Sequence, residues 1–280
     1  MKDTLTLALV SDVFHDDDGA RRLARVLEEA RRGGAELAML PELPLHRWVP
    51  ATRQASDEDA EPAGGPRATL LAEAARQAGI AVLGGAIVRH PVTGERHNRA
   101  LLFDARGELR ARYAKLHLPD EEGFWEGAHY APGSETPRAV DLDGFPLGLQ
   151  LCSDVNRPEG THLLAAEGAL AVLAPRATEP DSWESWKLVL RANARTACCY
   201  VASVNRPRAE GAVPLGGPSF VAGPGGEVVL ETSATLSFAR LARGTVEAAR
   251  RRYPGYVAVR AELYARGWMA LADASRTDER

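Results

Sequence analysis

The sequence predicts an α/β protein in which sheets and helices form layers. Short β-rich runs alternate with helical patterns along most of the chain, which is typical of this class. Of its 280 residues, 45% are hydrophobic, which is enough for a sizeable core. No internal repeat or break in composition divides the chain. We therefore expect a single domain over residues 1–280, in which residues 240–280 form a C-terminal extension.

The first half of the chain alternates helices with strands. Apolar residues at helical spacing predict a helix over Ala20–Arg32, which Gly33 and Gly34 end. Residues 51–66 are rich in Asp, Glu, Gly and Pro without periodicity, which predicts a loop. The other predicted elements are a helix over Arg67–Ala78 and strands over Leu5–Val10, Glu36–Leu40, Ile80–Val88, Ala100–Phe103 and Leu109–Tyr113.

In the second half, an apolar run over Phe145–Leu151 stops at Cys152, and Pro158 suits the first turn of a helix through Gly168. Cys152 is therefore predicted at a strand-to-helix elbow. Backbone N–H groups at such an elbow can point at a developing negative charge. The remaining predicted elements are a helix over Trp183–Ala197 and strands over Leu170–Leu173, Tyr200–Val204 and Val228–Glu231.

Charge and composition exclude several classes of partner. The formal net charge is -4, with 34 Lys and Arg interspersed among 38 Asp and Glu, so we expect no nucleic-acid partner. The apolar run within the first ten residues is too short for a signal peptide or a membrane span. We therefore expect a cytoplasmic protein without membrane contact. Three cysteines without CxxC spacing and seven histidines without an HxxxH or HExxH pattern predict no disulfide framework and no metal site.

Three motifs carry candidate chemistry. Pro41-Glu42-Leu43 follows a predicted strand, Lys115 precedes His117-Leu118, and Cys152-Ser153-Asp154 precedes Pro158-Glu159. Cleavage of an amide or nitrile by covalent catalysis needs a nucleophile, a base, an oxyanion donor and a proton for the leaving group. These residues supply all four, and three motifs in this order are far more specific than any one of them.

On these motifs the chain resembles the nitrilase (carbon-nitrogen hydrolase) superfamily from about Leu5 to Tyr264. The resemblance implies a four-layer α-β-β-α sandwich, no metal or organic cofactor, and a homodimer or larger homo-oligomer with residues 240–280 at the subunit interface. It implies that Glu42 is the general base, that Cys152 is the nucleophile and that Lys115 stabilises the oxyanion. Glu126 matches the second glutamate of the family, which positions substrate and lysine. We also expect the lysine cation to favour the Cys152 thiolate.

Substrate recognition is less defined by the motifs. Asn156-Arg157 stands where many family members have Arg-Phe, and Arg176 follows a strand whose end should lie beside Cys152. We expect Asn156, Arg157 and Arg176 to contact substrate, and Arg176 or Arg157 to fork a substrate carboxylate. The alternative is that each arginine pairs with a structural acid such as Glu159.

The predicted activity is hydrolysis of an amide or N-carbamoyl group of a small molecule through a cysteine thioester, which releases ammonia. Two alternatives stay open. One is an acyltransferase that uses the same thioester, and the other is a catalytically silent binding protein that uses Cys152 as a reversible thiol. We expect Cys198 and Cys199 to be inert core residues, and Trp183 and Trp186 to form a packed or subunit-facing stripe.

Overall fold

Two six-stranded sheets stack face to face in the computed structural model, which describes the backbone of residues 1–278 and the side chains of residues 1–273. The first sheet has the order β14-β1-β2-β3-β4-β5 and consists of β1 (Thr4–Val10), β2 (Leu37–Met39), β3 (Ala81–Arg89), β4 (Arg96–Phe103), β5 (Leu109–Ala114) and β14 (Leu236–Ala242). The second has the order β13-β12-β11-β10-β9-β8 and consists of β8 (Val140–Leu142), β9 (Phe145–Leu149), β10 (Ala171–Leu173), β11 (Tyr200–Ser203), β12 (Ser219–Ala222) and β13 (Val228–Thr232).

The α-helices are α1 (Gly19–Arg32), α2 (Pro66–Ala78), α3 (Pro158–Ala166), α4 (Trp183–Ala197), α5 (Arg243–Arg250) and α6 (Ala261–Asp278). The first four cover the outer faces of the two sheets, whereas α5 buries Val246 in the core between the sheets. A small hairpin, β6 (Asp120–Glu121) with β7 (Phe124–Trp125), lies outside both sheets. Helix α2 ends at Gly79, whose φ of 62° lies in the left-handed region that glycine adopts without a steric penalty.

Three apolar cores separate the four layers. Side chains such as Leu102 and Leu149 fill the space between the two sheets. Helices α1 and α2 bury residues such as Leu27 against the first sheet, and α3 and α4 bury residues such as Leu190 against the second. Alternate strand residues thus serve an inner and an outer core. This arrangement confirms the expected α-β-β-α sandwich.

The parallel strands place the starts of four loops near one another. β1, β2 and β3 are parallel in the first sheet, and β9, β10 and β11 are parallel in the second. The chain therefore leaves these strands at their carboxyl ends in a shared direction, as in other parallel sheets. Glu42 follows β2, Cys152 follows β9, Arg176 follows β10 and Asn205 follows β11.

Most elements lie within a few residues of their predicted bounds, and residues 51–66 form a loop with only short 3-10 turns. Four strand features escaped prediction. One is β8, which is only three residues long. β14 pairs antiparallel with β1 at a sheet edge and has polar residues among its apolar ones, so its pattern is weak. The β6–β7 hairpin consists of two-residue strands, too short for a periodic signal. β4 begins at Arg96, four residues before the predicted Ala100, because its polar start pairs with β3.

The C-terminal helix α6 exposes a set of large apolar side chains, namely Leu263, Tyr264, Trp268, Met269 and Leu271. The last residues of the predicted extension over 240–280, residues 279 and 280, lie outside the described part of the chain. Within that part, none of the helices combines the length and apolar character that crossing a membrane requires.

Candidate active site

Three charged side chains meet in the interior at the carboxyl ends of the parallel strands. The Lys115 ammonium lies 2.9 Å from Glu42 Oε1 and 2.6 Å from Glu126 Oε1. Each of the three residues is only 1% exposed, and the neighbouring Cys152 is 4% exposed. The charges of Glu42, Lys115 and Glu126 all act on the Cys152 thiol. The structure thus brings together the four residues that the motifs single out.

Glu42 is held by its side chain and by its backbone. Asn98 of β4 donates from Nδ2 to Glu42 Oε1 at 2.8 Å. The next residue, Leu43, has a φ of 49°, a left-handed conformation that is strained for a residue with a side chain. Such strain persists only when surrounding contacts enforce it.

Arg206 supplies those contacts. Its buried guanidinium donates to the carbonyl oxygens of Glu42, Leu43 and His46 at 2.9 Å each, and it also donates to the Glu210 carboxylate. Arg206 comes from the chain that follows β11 of the second sheet, whereas the carbonyls follow β2 of the first. It therefore fixes the loop of Glu42 relative to the sheet that carries Cys152. This role could not be predicted from the sequence, because backbone carbonyl partners leave no motif.

Cys152 occupies the elbow that the sequence predicts. It has a φ of 45° and starts a 3-10 turn that leads to α3. Its amide donates to Pro175 O at 2.9 Å, and its thiol donates to Ala177 O at 3.7 Å. Strain of this kind concentrates at functional sites.

Asp154 connects the cysteine turn to the segment of Lys115. Its buried carboxylate accepts from Tyr113 Oη at 2.8 Å, from the His117 amide at 2.9 Å and from the Leu151 amide at 3.2 Å. These bonds join β5 to the end of β9. They hold Lys115 and Cys152 in a fixed relation, although Asp154 itself contacts neither reacting group.

The thiol of Cys152 is protonated in this environment. Burial is the largest cause of its raised pKa, the negative charge of Glu42 adds to the rise, and the positive charge of Lys115 opposes it. The lysine cation acts in the expected direction, towards the thiolate, but burial and the carboxylates outweigh it. Two carboxylates surround the single ammonium, so the local charge does not favour a further anion. Nucleophilic attack by this thiol requires a base that removes its proton.

Glu126 shares the ammonium with Glu42. Burial raises the pKa of Glu126 to about 8, against the attraction of Lys115. For Lys115, burial acts to lower the pKa, but the charges of Glu126 and Glu42 outweigh it and raise the pKa well above its ordinary value. The ammonium consequently stays charged, whereas burial makes Glu126 harder to ionise than an ordinary carboxyl group.

Several buried polar atoms of the site have no hydrogen-bond partner within the described residues. They include Glu42 Oε2, Glu126 Oε2 and the hydroxyl of Tyr130. The pKa of Tyr130 is raised by burial and by the charges of Glu126 and Glu42, so Tyr130 lies within electrostatic range of both carboxylates. An unsatisfied buried polar group costs about 1–3 kcal/mol, and natural proteins retain few of them. These atoms are available to a substrate, and Tyr130 joins the candidate site although no sequence motif marked it.

Arg176 does not face a free pocket. Its guanidinium is fully buried and donates to Thr178 Oγ1 at 3.1 Å, to Ser203 Oγ at 3.0 Å and to the carbonyl of Pro218. It also lies over the Trp183 ring, 5.0 Å from its centroid. Each nitrogen of its fork is thus occupied, and the prediction that Arg176 binds a substrate carboxylate is not supported. The alternative, that Arg176 pairs with an acidic side chain, is not observed within the described residues either.

Arg157 and Asn156 lie exposed on the turn after Cys152. The one hydrogen bond of the Arg157 side chain within the described residues goes to Asn156 O at 3.5 Å. Its guanidinium is therefore free to meet a ligand, and it forms no ion pair with Glu159 in that part of the chain.

The other residues that the sequence singled out lie in the core. Cys199 is fully buried among the side chains beneath α4, and Cys198 is 3% exposed. Trp183 and Trp186 pack on the same core, and Trp183 meets Phe220 edge to face. Within the described residues, no three His, Cys, Asp or Glu side chains are grouped as metal ligands would be.

Comparison with known proteins agrees with the fold and identifies the family. The family model described as carbon-nitrogen hydrolase matches residues 12–251. The chain belongs to the carbon-nitrogen hydrolase family, which lies in the nitrilase superfamily.

Individual relatives include hydrolases and amidases. A hydrolase of Mycobacterium tuberculosis is 36% identical over 241 residues, covering 80% of this chain and 84% of its own. The chloroplastic omega-amidase of Arabidopsis thaliana is 30% identical, covering 98% and 74% respectively. Among solved structures, an amidase from Nesterenkonia sp. has a TM-score of 0.78 at 28% identity, covering 96% and 98%. In a variant of the Nesterenkonia amidase, the acetamide moiety of fluoroacetamide is added covalently to the active-site cysteine.

Proposed function

We propose that this protein hydrolyses a linear amide or an N-carbamoyl group of a small molecule through a thioester on Cys152, releasing ammonia. The observation that carries the proposal is the buried cluster of Glu42, Lys115 and Glu126 around a protonated thiol. An arrangement of base, cation and nucleophile in a water-poor site suits acyl transfer. The covalent adduct on the cysteine of the Nesterenkonia amidase supports the same role for Cys152.

In the proposed reaction, the Glu42 carboxylate takes the thiol proton as sulfur attacks the carbonyl carbon. The resulting oxyanion lies beside the Lys115 ammonium. Protonated Glu42 then gives its proton to the leaving nitrogen, the carbon-nitrogen bond breaks, and ammonia departs from a Cys152 thioester. Water attacks the thioester while Glu42 accepts a water proton, and that proton returns to the departing sulfur. An amide substrate gives a carboxylic acid, whereas an N-carbamoyl substrate gives a carbamic acid that loses carbon dioxide to leave the free amine. The thiol and the carboxylate are regenerated.

A backbone donor completes the oxyanion site in this scheme. The amide of Cys152 already donates to Pro175 O, so the donor must come from the residue after it. The N–H of Ser153 is next in the turn, and the Ser153 hydroxyl is engaged with His117 O. We assign the backbone contribution to the Ser153 amide, which is aligned by the same turn that positions the thiol.

Tyr130→Phe tests whether the unpartnered hydroxyl serves the substrate. We expect kcat/KM to fall about 10- to 100-fold, because a hydrogen bond to a charged or reacting group is lost. We expect the melting temperature to stay the same or rise, because the variant removes no hydrogen bond to a described residue and removes an unsatisfied buried hydroxyl. Steady-state kinetics and thermal unfolding check the two expectations.

Tyr113→Phe is the matched control. It deletes the hydroxyl that donates to Asp154 at 2.8 Å, so it should lower stability by about 1.5–3 kcal/mol. Full activity in Tyr130→Phe would remove Tyr130 from the site.

The substrate class is tested by ammonia release from a panel of N-carbamoyl amino acids, ω-amides, aliphatic amides and nitriles. We expect ammonia and free acid in equal amounts, without any added amine, from at least one of the first three classes. Because Arg157 is exposed with free donors, we propose that it favours a substrate with a carboxylate. An Arg157→Gln variant with unchanged discrimination between acidic and neutral amides would contradict that part.

Two other functions use the same thiol. Ammonia release that depends on hydroxylamine or another amine acceptor would identify an acyltransferase. A reversible thiol sensor is disfavoured by the raised pKa of Cys152, because oxidation of a cysteine proceeds through its thiolate.

We further propose that two copies associate through the exposed apolar face of α6. That face contains Tyr264 and Trp268, both well exposed in the single chain. Contiguous exposed apolar surface of this kind marks interaction sites.

A further inference from the structure

A cavity lies apart from the catalytic cluster, at the β5 edge of the first sheet. Its volume is about 460 Å³, and its walls are strands β4 and β5 and the segment 133–141. It is not lined by any residue of the catalytic cluster, that is, by Glu42, Lys115, Glu126 or Cys152. A volume of this size is in the range of small-molecule sites.

Three arginines of β4 and β5 line this cavity from one face of the sheet, and Ala111 and Tyr113 of the opposite face also contribute to its lining. In the register of β4 and β5, Arg99 pairs with Ala114 and Leu101 pairs with Arg112. Arg112 stands two residues before Ala114 on β5, so it lies on the same face as Arg99, diagonal to it. Arg110 is two residues further along that face, and all three side chains line the cavity.

The positive charges of this face are not balanced by ion pairs. Arg99 and Arg112 form no side-chain hydrogen bond or ion pair with any described residue, and Arg99 Nε is buried without a partner. Burial and the charge of Arg112 lower the pKa of Arg99, and Glu135 only partly opposes them. Arg110 reaches Asp104 at 3.7 Å. Like charges on neighbouring strands are destabilising. An anion between Arg99 and Arg112 would reduce their repulsion and accept a hydrogen bond from Arg99 Nε.

We propose that this cavity binds a small polyvalent oxyanion, a phosphate or carboxylate compound, between the guanidinium groups of Arg99 and Arg112. Arginine forks match the oxygen pairs of both groups. The acids of the lining, Glu135 and Asp141, stand on the segment 133–141 and not on the arginine strands. The Asp141 carboxylate accepts a hydrogen bond from the Gly144 amide. It therefore does not occupy the side of the cavity that the arginines line.

Two short contacts connect the cavity wall to the segments that hold Lys115. Gly133 in the cavity wall donates its amide to Lys115 O at 2.8 Å, and a Cβ at Gly133 would approach Ala114 O to 2.7 Å, so this wall is seated closely on β5. Tyr113, also in the lining, donates to Asp154 at 2.8 Å. The cavity wall thus includes parts of both segments that hold the ammonium.

Calorimetric titration of the full chain with pyrophosphate, and separately with citrate, tests the proposal at constant ionic strength. We expect saturable binding of at least one anion, and a Kd raised about tenfold or more in Arg99→Gln/Arg112→Gln, because two charge-assisted forks are lost. Arg21→Gln/Arg25→Gln is the matched control, since it removes the same charge from exposed positions on α1 and should leave the Kd unchanged.

The two titrants separate the ligand classes. Binding of pyrophosphate alone identifies a phosphate ligand, binding of citrate alone a carboxylate ligand, and binding of both a general oxyanion site. Absence of saturable binding for both anions overturns the proposal, and so does an unchanged Kd in Arg99→Gln/Arg112→Gln. If the double variant folds poorly, a single Arg112→Gln variant gives the same readout, because Arg112 is exposed and has no partner among the described residues.

Discussion

Replacement of Lys115 by methionine should abolish hydrolysis and destabilise the fold by about 3–5 kcal/mol, because removal of one member of a buried ion pair leaves uncompensated charge. Two carboxylates, Glu42 and Glu126, depend on this ammonium at 2.9 and 2.6 Å. No other lysine or arginine within the described residues forms an ion pair with either of them. Chemical denaturation and ammonia release measure the two effects.

The destabilisation should depend on pH in a defined direction. The pKa of Glu126 is already raised in the folded state, to about 8 from an ordinary 4.5. A carboxyl group with a raised folded-state pKa contributes stability below its unfolded pKa, and that contribution is lost as pH rises towards the folded pKa. Without the ammonium the folded pKa rises further. The Lys115→Met variant should therefore be closest to the wild type near pH 5 and furthest from it at alkaline pH.

Lys187→Met is the control for the loss of a lysine. Lys187 pairs with Glu231 at 2.7 Å, and both side chains are partly exposed, so its loss should change stability by no more than about 1 kcal/mol. A Lys115→Met protein that is as stable as the control at alkaline pH would contradict the buried-charge argument.

Cys152→Ala should lower amide hydrolysis by about 10⁴-fold or more, because loss of a covalent nucleophile removes the whole reaction path. Its effect on folding should be small, about 1 kcal/mol, since the change deletes a single buried sulfur atom. Intact-protein mass spectrometry during turnover of a slow amide should show an acyl adduct on the wild type and none on the variant.

Cys198→Ala is the control for this substitution. Cys198 is buried at the C-terminus of α4 and shares the left-handed backbone of Cys152, with a φ of 50°. It should keep full activity and the acyl adduct. Ammonia release that persists in Cys152→Ala at the wild-type rate would remove Cys152 as the nucleophile.

The sequence predicted those parts of the site that are encoded locally. Glu42 and Cys152 stand directly after buried strands, and the parallel arrangement of those strands brings their ends together, as the pattern indicated. The conformation of the Cys152 elbow likewise follows from the strand before it and Pro158 after it. Such features depend on a few neighbouring residues, so they leave a readable motif.

Other parts depend on contacts between distant segments and could not be predicted. Arg176 was correctly placed after its strand, but strand position does not determine which way a side chain turns. Its fork turned to Thr178 and Ser203 instead of the pocket. Arg206 contacts backbone carbonyls more than 150 residues away in the chain, and the protonation of Cys152 results from burial and three charges acting at once.

The protonated, enclosed thiol has a consequence for chemical reagents. General alkylating agents and peroxides react with exposed thiolates, and the Cys152 sulfur, 4% exposed, offers neither exposure nor negative charge at rest. In the proposed mechanism the sulfur becomes nucleophilic only when a molecule that fits against Glu42 and Lys115 is attacked while Glu42 takes the thiol proton. Covalent inhibitors of this protein should therefore be shaped like its amide substrate, and the nucleophile should survive oxidising conditions that inactivate enzymes with a standing thiolate.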